Sequence, residues 1–346
     1  MLKKYRVLTI IALVFILGGC MAQQDNGPSQ PNESSPNSSV NQNENSNGNT
    51  NANAGSNQQI EIEDGFGTQT FDGVQSRVVA LEWSIVEELL IAGVQPVGVA
   101  DIENFNKWVT IDAELSEDVV DVGGRIEPNL EMISQLNPDV IIGIKGRHEK
   151  IKGELEKIAP VVMYDNATDV AQENLYAHML DSLKQTAKLV GREKEAEDAI
   201  QRLESRYEEA RSQIENANLT THEFVFTQAF SVNQAPTFRL FTKNSIVSNV
   251  LENMGLVNKI QDEPEGASGM IETNVEGLSK YQEAMLLHTV QKDDPLFDNL
   301  ANNAAWQGLY FVNEDEMYDV GAGVWTFGSV LSMETLVEHV VEALVK

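Results

Sequence analysis

Two arginines stand where a guanidinium group could bind an anionic ligand. Arg147 lies just past the apolar run at 140–144, in a loop at the carboxyl end of an expected strand, where α/β lobes bind ligands. Arg239 alternates with apolar neighbours in 237–241, so it points either into a cleft or outward from a half-buried strand. The planar fork of arginine bonds bidentately to carboxylate oxygens and keeps its charge. Both positions are therefore candidates for contact with an oxygen-rich ligand.

The only cysteine, Cys20, is placed for a different chemistry. It follows a positively charged start and a nearly unbroken apolar run at 7–17, which together have the architecture of a secretory signal. The run is too short to span a bilayer. Leu17-Gly18-Gly19-Cys20 has the form of a lipobox, whose thiol receives diacylglycerol, with palmitate as an expected acyl chain. We expect a lipoprotein signal peptide at 1–19 and lipid on Cys20; the alternative is an ordinary signal peptide with an incidental cysteine.

The sequence contains none of the common catalytic or metal-binding motifs. No nucleophile elbow, Walker phosphate loop or zinc-protease helix occurs, and the five histidines lack the spacing of a zinc or manganese site. The histidines are His148, His178, His222, His288 and His339. The formal net charge of −29 argues against nucleic acid as a partner, because phosphate binding needs clustered Lys and Arg. We expect a binding protein that is not an enzyme and holds no metal directly.

Composition divides the chain into a signal, a tether and a folded part. After Cys20, Asn, Gln, Ser, Gly and Pro dominate up to about Gln59, and such a segment cannot bury enough apolar surface to fold. We expect a disordered tether at 20–64, of a length that suits a Gram-positive cell surface. The remainder is near the size at which single cores split, so two lobes are expected.

The folded part alternates short runs rich in Val and Ile with helical stretches. Such alternation predicts βαβ units with buried parallel strands. Strands are expected at 77–81, 97–100, 139–143, 224–230 and 284–288 and after 308–312, and helices at 84–92, 130–136, 245–254 and 330–344. The region 171–216 has no proline and one glycine, so a long helix or a slightly broken pair should separate α/β lobes at 65–170 and 217–346. A helix between two similar lobes implies a ligand cleft.

A series of motifs runs in order through residues 70–346. They are Leu81-Glu82-Trp83, Gly98-Val99-Ala100-Asp101 with Trp108, and the runs 121–131, 136–142, 243–245, 274–278 and 323–328. Together these motifs resemble those of ferric-siderophore binding proteins, nearest to the ferric-hydroxamate branch and close to the ferric-citrate branch. The resemblance implies a two-lobed, periplasmic-binding-protein-like α/β fold whose lobes are joined by one long helix, with a ferric siderophore held between them.

The resemblance also gives individual side chains expected roles. The family counterpart of Arg125 contacts the chelate, with a surface ion pair as the alternative. Trp325 matches an aromatic that packs on the ligand; Trp108 and Trp83 are weaker candidates, because a tryptophan is more often part of the core. At Arg147 the hydroxamate branch tends to carry tyrosine, so an arginine there favours a more negatively charged chelate, such as a citrate-based one.

The expected partners follow from the same resemblance. Glu131 and Glu276 match a pair that docks onto arginines of the permease dimer of an ABC importer with its ATPase; Glu127 is the rival of Glu131, and a solvated face is the alternative for each. The expected protein is a monomer outside the cytoplasm, anchored by lipid to the membrane. Two other functions stay open: a haem or cobalamin binding protein of the same fold, which for haem needs an axial His, Met or Tyr, and a surface adhesin.

Overall fold

In the computed structural model of this chain, the described residues are 59–261 and 267–345. The predicted signal peptide at 1–19, Cys20 and the predicted tether up to residue 58 lie outside them. None of the described helices is both long and apolar enough to cross a membrane.

The end of the predicted tether is a strand rather than a disordered segment. Gln59–Asp64 forms β1 and pairs antiparallel with β2, Gly67–Asp72. Ile60 and Ile62 are buried on one face of β1, and Phe71 joins them from β2. The prediction of a tether reaching residue 64 is therefore wrong for 59–64, because these residues alternate apolar and acidic side chains and so supply a buried face.

The first lobe is a parallel sheet with helices on both faces. Its strands are β3 (Val78–Ala80), β4 (Gly98–Val99), β5 (Val120–Asp121), β6 (Val140–Ile144) and β7 (Val161–Tyr164). The order is β5-β4-β3-β6-β7, and every neighbouring pair is parallel. The helices are α1 (Trp83–Ile91), α2 (Ile102–Trp108), α3 (Leu130–Gln135), α4 (Lys145–His148) and α5 (Lys152–Leu155), with a 3₁₀ turn at Glu149–Ile151. The short continuous apolar runs are thus buried strands, as predicted.

Three helices connect the lobes where the sequence predicted a long helix or a broken pair. They are α6 (Asp169–Glu173), α7 (Leu175–Leu189) and α8 (Glu193–Asn216). The break between α7 and α8 lies at Gly191, whose φ of +66° is a left-handed conformation that glycine adopts without steric cost. Helix α7 reaches both lobes: Leu175 N–H donates to Asn244 O (3.0 Å) at one end, and Leu189 O accepts from Gln75 N–H (3.0 Å) at the other.

The second lobe is a mixed sheet. Its strands are β8 (Glu223–Val232), β9 (Ala235–Phe241), β10 (Val257–Asn258), β11 (Met270–Thr273), β12 (Met285–Thr289) and β13 (Met317–Asp319). The order is β11-β9-β8-β12-β13, with β10 also on β8; β9 pairs antiparallel with both β11 and β8, and the other pairs are parallel. The helices are α9 (Ile246–Asn253), α10 (Val275–Leu278), α11 (Leu296–Leu300), α12 (Ala304–Gln307), α13 (Tyr310–Asn313) and α14 (Val330–Leu344), with a 3₁₀ turn at Ala267–Gly269. The prediction of a two-lobed α/β fold is confirmed.

Candidate functional site

A cavity of about 400 Å³ lies between the lobes at the carboxyl ends of the first lobe's strands. Residues from both lobes line it: Trp83, Asp101, Asn104, Trp108, Arg125, Gln228, Phe230, Arg239 and Trp325. Trp83 opens α1 just after β3, and Arg125 lies in the loop after β5. Five of the six side chains predicted to contact a ligand therefore meet in one cavity, which is where parallel α/β sheets bind ligands.

The loop that carries Arg125 is held by its own backbone. Gly123 has a φ of +90°, and an added Cβ there would lie 3.2 Å from Asn129 N, so any other residue would be strained. Asn129 N–H closes the loop by donating to Val122 O at 2.7 Å.

A buried histidine fixes the other side of this loop. Ile144 N–H donates to His148 Nδ1 (3.1 Å), so His148 Nε2 carries the proton that it donates to Arg125 O (2.7 Å). Burial lowers the pKa of His148, which favours this neutral tautomer. His148 therefore anchors the Arg125 loop to α4, a role that no sequence motif indicated.

The Arg125 guanidinium is packed between aromatic rings and carboxylates. Its Cζ lies 3.5 Å from the centroid of the Trp83 ring and 5.7 Å from that of Trp325. Its Nη1 pairs with Glu82 Oε2 at 3.3 Å, and its Nε lies 3.9 Å from Asp101 Oδ2. Stacking on tryptophan stabilises a cation by a cation–π attraction and also limits its rotation. The arginine is thus presented to the cavity in a defined orientation.

Arg147 is not among the described residues that line the cavity; it lies on α4 next to Glu82. Its Nη1 pairs with Glu82 Oε1, so the Glu82 carboxylate contacts Arg147 and Arg125 at once. Glu82 is only 7% exposed. Burial raises the pKa of the Glu82 carboxyl, and the guanidinium groups of Arg147 and Arg125 oppose that shift. The structure therefore places Arg147 beside a buried anion, which the sequence did not predict.

Arg239 faces the cavity from the second lobe, which decides between the two orientations that the sequence left open. Its guanidinium Cζ lies 4.7 Å from the centroid of the Phe230 ring. Its Nε donates to Glu272 Oε1 (2.9 Å) and its Nη1 to Gln228 Oε1 (3.4 Å), residues directly opposite it on β11 and β8. Residues in register on neighbouring strands point to the same face, so the side chains of Arg239, Glu272 and Gln228 lie on one face of the sheet.

The three tryptophans contribute in different ways. Trp83 is 2% exposed and donates from Nε1 to Ala100 O at 3.2 Å, so it is both core and cavity wall. The Trp83 and Trp325 ring centroids are 4.9 Å apart, which joins the lobes through an aromatic contact. Trp108 is half-buried at the end of α2.

Four lining residues were missed by the sequence analysis: Asp101, Asn104, Gln228 and Phe230. A signal existed for Gln228 and Phe230, because they share the period-two face of β8 on which residues 224 and 226 lie. For Asp101 the left-handed φ of +63° that re-aims its side chain is visible only in the structure.

Glu131 and Glu276 are not among the described residues that line the cavity. Each is exposed and is the second residue of a short helix that begins after an asparagine. Asn129 Oδ1 accepts from Glu131 N–H (3.1 Å), and Asn274 Oδ1 accepts from Gly277 N–H (3.1 Å). Glu127 is also exposed, in the loop before α3.

Within the described part of the chain, no cluster of three or more His, Cys, Asp or Glu side chains could hold a metal ion.

Comparison with known proteins gives consistent matches along the folded part. The sequence profile of the family described as "Periplasmic binding protein" matches residues 78–323. The chain is 28% identical to the Fe(3+)-citrate-binding protein YfmC of Bacillus subtilis over 345 residues, which cover 98% of this chain and 96% of that protein. It is 29% identical to the putative ABC transporter substrate-binding lipoprotein YhfQ of Bacillus subtilis, over 72% of this chain and 77% of that protein.

A solved structure shows the same fold. The siderophore binding protein FhuD of Vibrio cholerae, bound to Fe3+-Desferal, superposes with a TM-score of 0.69 and 26% sequence identity, covering 78% of this chain and 98% of that one.

Proposed function

Because the chain belongs to the periplasmic binding protein family, we propose that it is an extracytoplasmic receptor that binds a ferric siderophore and delivers it to an ABC permease for iron uptake. One observation carries the proposal: both lobes line a single cavity, and each contributes an arginine whose guanidinium lies over an aromatic ring. The iron of a ferric siderophore is cargo, already ligated by the siderophore's own oxygens.

The chemistry of the cavity suits such a ligand. A chelate with its iron satisfied needs only cations, hydrogen bonds and aromatic surface from the protein. Arg125 and Arg239 supply charge-assisted hydrogen bonds to carboxylate or hydroxamate oxygens, and Trp108 and Trp325 supply flat apolar contact. YfmC is named for ferric citrate and the FhuD structure holds Fe3+-Desferal, which supports a chelate of the citrate or hydroxamate class here.

Haem is less well served by this cavity. Haem iron is held by His, Met, Tyr or Cys side chains, and none of these is among the described residues that line the cavity. The arginines and tryptophans instead favour a ligand that brings its own iron coordination.

The proposal includes delivery and anchoring. Glu131 and Glu276 would dock onto the permease, one from each lobe, since both are exposed and begin short helices. Lipid on Cys20 and the segment after it would hold a monomeric receptor near its permease, which raises its effective concentration there. The name of YhfQ, a substrate-binding lipoprotein of an ABC transporter, supports both parts.

Titration of intrinsic tryptophan fluorescence tests the binding function. Purified protein would be titrated with a panel of ferric hydroxamate, citrate and mixed chelates, and Trp83, Trp108 and Trp325 would report quenching by the bound ferric ion. We expect a dissociation constant of about 1 μM or lower for at least one chelate. Arg125→Gln should weaken that binding about tenfold or more, because it removes a charge-assisted hydrogen bond. Arg192→Gln is the control, since Arg192 is an exposed arginine that pairs with Glu195. Quenching by no chelate in the panel would be evidence against a siderophore receptor and would leave an adhesin as the better hypothesis.

A further inference from the structure

Glu82 is a buried carboxylate whose main partners lie far along the chain. It directly precedes α1 with extended backbone angles, φ −137° and ψ 147°, yet its side chain makes no capping hydrogen bond to that helix. Instead the two carboxylate oxygens take one arginine each: Oε2 pairs with Arg125 and Oε1 with Arg147. These arginines lie 43 and 65 residues further along the chain. The carboxylate therefore joins the Arg125 loop to helix α4 directly behind the cavity wall.

The two guanidinium groups depend on this anion. Burial lowers the pKa of Arg125, and the charge of Arg147 acts in the same direction, while Glu82 and Asp101 oppose both effects. Two cations this close repel each other unless an anion lies between them. Without Glu82, the Arg125 guanidinium would also lose its one hydrogen-bond partner among the described residues, which binds at Nη1. Arg125 Nε is buried and has no hydrogen-bond partner among those residues.

We propose that Glu82 is a positioning residue for ligand binding: it holds Arg125 over the Trp83 ring at the cavity wall, and Arg147 acts on the ligand only through Glu82. The inference rests on the proposed function. It assigns Arg147 an indirect role, in place of the direct contact that the sequence suggested. An arginine at 147 then balances the buried carboxylate rather than adding a free positive charge to the cavity.

The structure offers a matched control for this inference. Glu334 is also a buried carboxylate that contacts two arginines: its Oε1 lies 2.7 Å from Arg202 Nε and 3.6 Å from Arg206 Nε. It joins α14 to α8 and does not line the cavity. Loss of its charge should therefore cost stability in the way that loss of Glu82 does, without disturbing the binding site.

The experiment compares Glu82→Gln with Glu334→Gln in the full chain. For the chelate that binds the wild type most tightly, we expect Glu82→Gln to weaken binding about tenfold to a hundredfold, and Glu334→Gln to leave binding unchanged. Arginine 1H–15N spectra without ligand, with the Arg125 Nε signal assigned from Arg125→Lys, should show that signal shifted or broadened in Glu82→Gln and unchanged in Glu334→Gln. Arg147→Gln should weaken binding in the wild type but have little further effect in Glu82→Gln.

The outcomes separate this inference from the proposed function. If the wild type binds no ferric chelate, the proposed function is wrong, while an undisturbed Arg125 signal in Glu82→Gln overturns the positioning role by itself. If the wild type binds and Glu82→Gln binds equally well, the inference is wrong and the proposed function stands. An additive effect of Arg147→Gln in the two backgrounds would show that Arg147 contacts the ligand independently of Glu82.

Discussion

Two glutamates that follow each other on α1, Glu87 and Glu88, are fully buried where the lobes meet. Glu87 accepts hydrogen bonds from the backbone N–H groups of Ser329 (2.9 Å) and Ser332 (3.0 Å), at the start of α14 in the second lobe. A carboxylate there is favoured by the helix dipole and satisfies two otherwise unpaired donors. Glu87 of the first lobe thus caps a helix of the second.

Glu88 makes the complementary contact with the connecting helix α7. Its oxygens accept from Ser182 Oγ (2.7 Å) and Thr186 Oγ1 (2.5 Å). Burial raises the pKa of Glu88 to about 8, with a further contribution from the charge of Glu87, and burial raises that of Glu87 to about 7. Both residues therefore titrate in the folded protein near neutral pH rather than near the usual 4.5.

This shift predicts a pH-dependent stability. The unfolded chain releases the Glu88 proton near pH 4.5 and the folded chain only near pH 8, so the stability that Glu88 contributes is complete below about pH 4.5 and is lost as the pH rises toward 8. Compared with Glu88→Gln, the wild type should lose about 2 to 5 kcal/mol of unfolding free energy across this window. Urea unfolding at several pH values measures the difference. Glu197 lies on the exposed face of α8, so the unfolding free energy of Glu197→Gln should change with pH in parallel with that of the wild type. If the unfolding free energy of Glu88→Gln also changes in parallel with that of the wild type, the raised pKa of Glu88 is contradicted.

At the scale of elements, the break between α7 and α8 separates two helices that pack on different partners. Gly191 N–H donates to Lys188 O (3.2 Å) and Arg192 N–H to Ala187 O (2.8 Å), which closes the end of α7. α7 then contacts β1 of the first lobe and α9 of the second, while α8 turns back along α7, packs on α14 of the second lobe and also contacts α1 of the first. A continuous helix over 171–216 could not fold back on itself in this way.

Gly191→Ala should therefore destabilise the protein. A side chain at a φ of +66° costs about 1 to 2 kcal/mol, and the added Cβ would also lie 2.8 Å from Val74 Cγ2. Gly153→Ala is the matched control, because Gly153 lies within α5 and an added Cβ meets nothing within 4 Å. That substitution should stabilise by about 0.5 to 1 kcal/mol. Chemical unfolding of the two variants should show opposite signs; a neutral Gly191→Ala would mean that the helix break tolerates an ordinary residue.

At the scale of the whole molecule, charge is distributed unevenly. The chain has 53 Asp and Glu residues against 24 Lys and Arg residues. Two of those arginines, Arg125 and Arg239, nevertheless line the cavity between the lobes. Arg147 lies close behind it, beside Glu82. Under the proposed function, these local cations would attract an anionic chelate to a protein whose overall field repels it. Glu131 and Glu276, which we propose dock onto the permease, are exposed on this acidic exterior.

Removal of both glutamates should separate binding from delivery. Glu131→Ala combined with Glu276→Ala is expected to leave chelate affinity unchanged, because neither side chain lines the cavity, and to abolish iron uptake by cells that depend on this receptor. Fluorescence titration and uptake of radioactive ferric chelate measure the two effects. Glu127→Ala with Glu276→Ala is the comparison: if that pair abolishes uptake and the first pair does not, Glu127 rather than Glu131 is the docking residue.

The sequence by itself determined the α/β class, several of the strands and helices, and five of the nine described residues that line the cavity. Hydrophobic periodicity is local, so runs such as 139–143 and 330–344 were readable as a strand and a helix. Arg125, Trp108 and Trp325 could be singled out because they occur within short motifs that resemble those of siderophore-binding proteins. The alternation of apolar and acidic residues at 59–64 also indicates a strand, but it directly follows a long polar segment and was assigned to that segment.

Only the tertiary structure decided which side chains meet across the chain. Glu82 pairs with Arg147 65 residues away, Glu88 bonds to Thr186 98 residues away, and Glu87 bonds to Ser332 245 residues away. Such contacts follow from how the lobes and α7 pack, not from local propensity. The direction of Arg239 into the cavity likewise depends on which face of β9 is turned toward the first lobe, which a period-two pattern cannot specify.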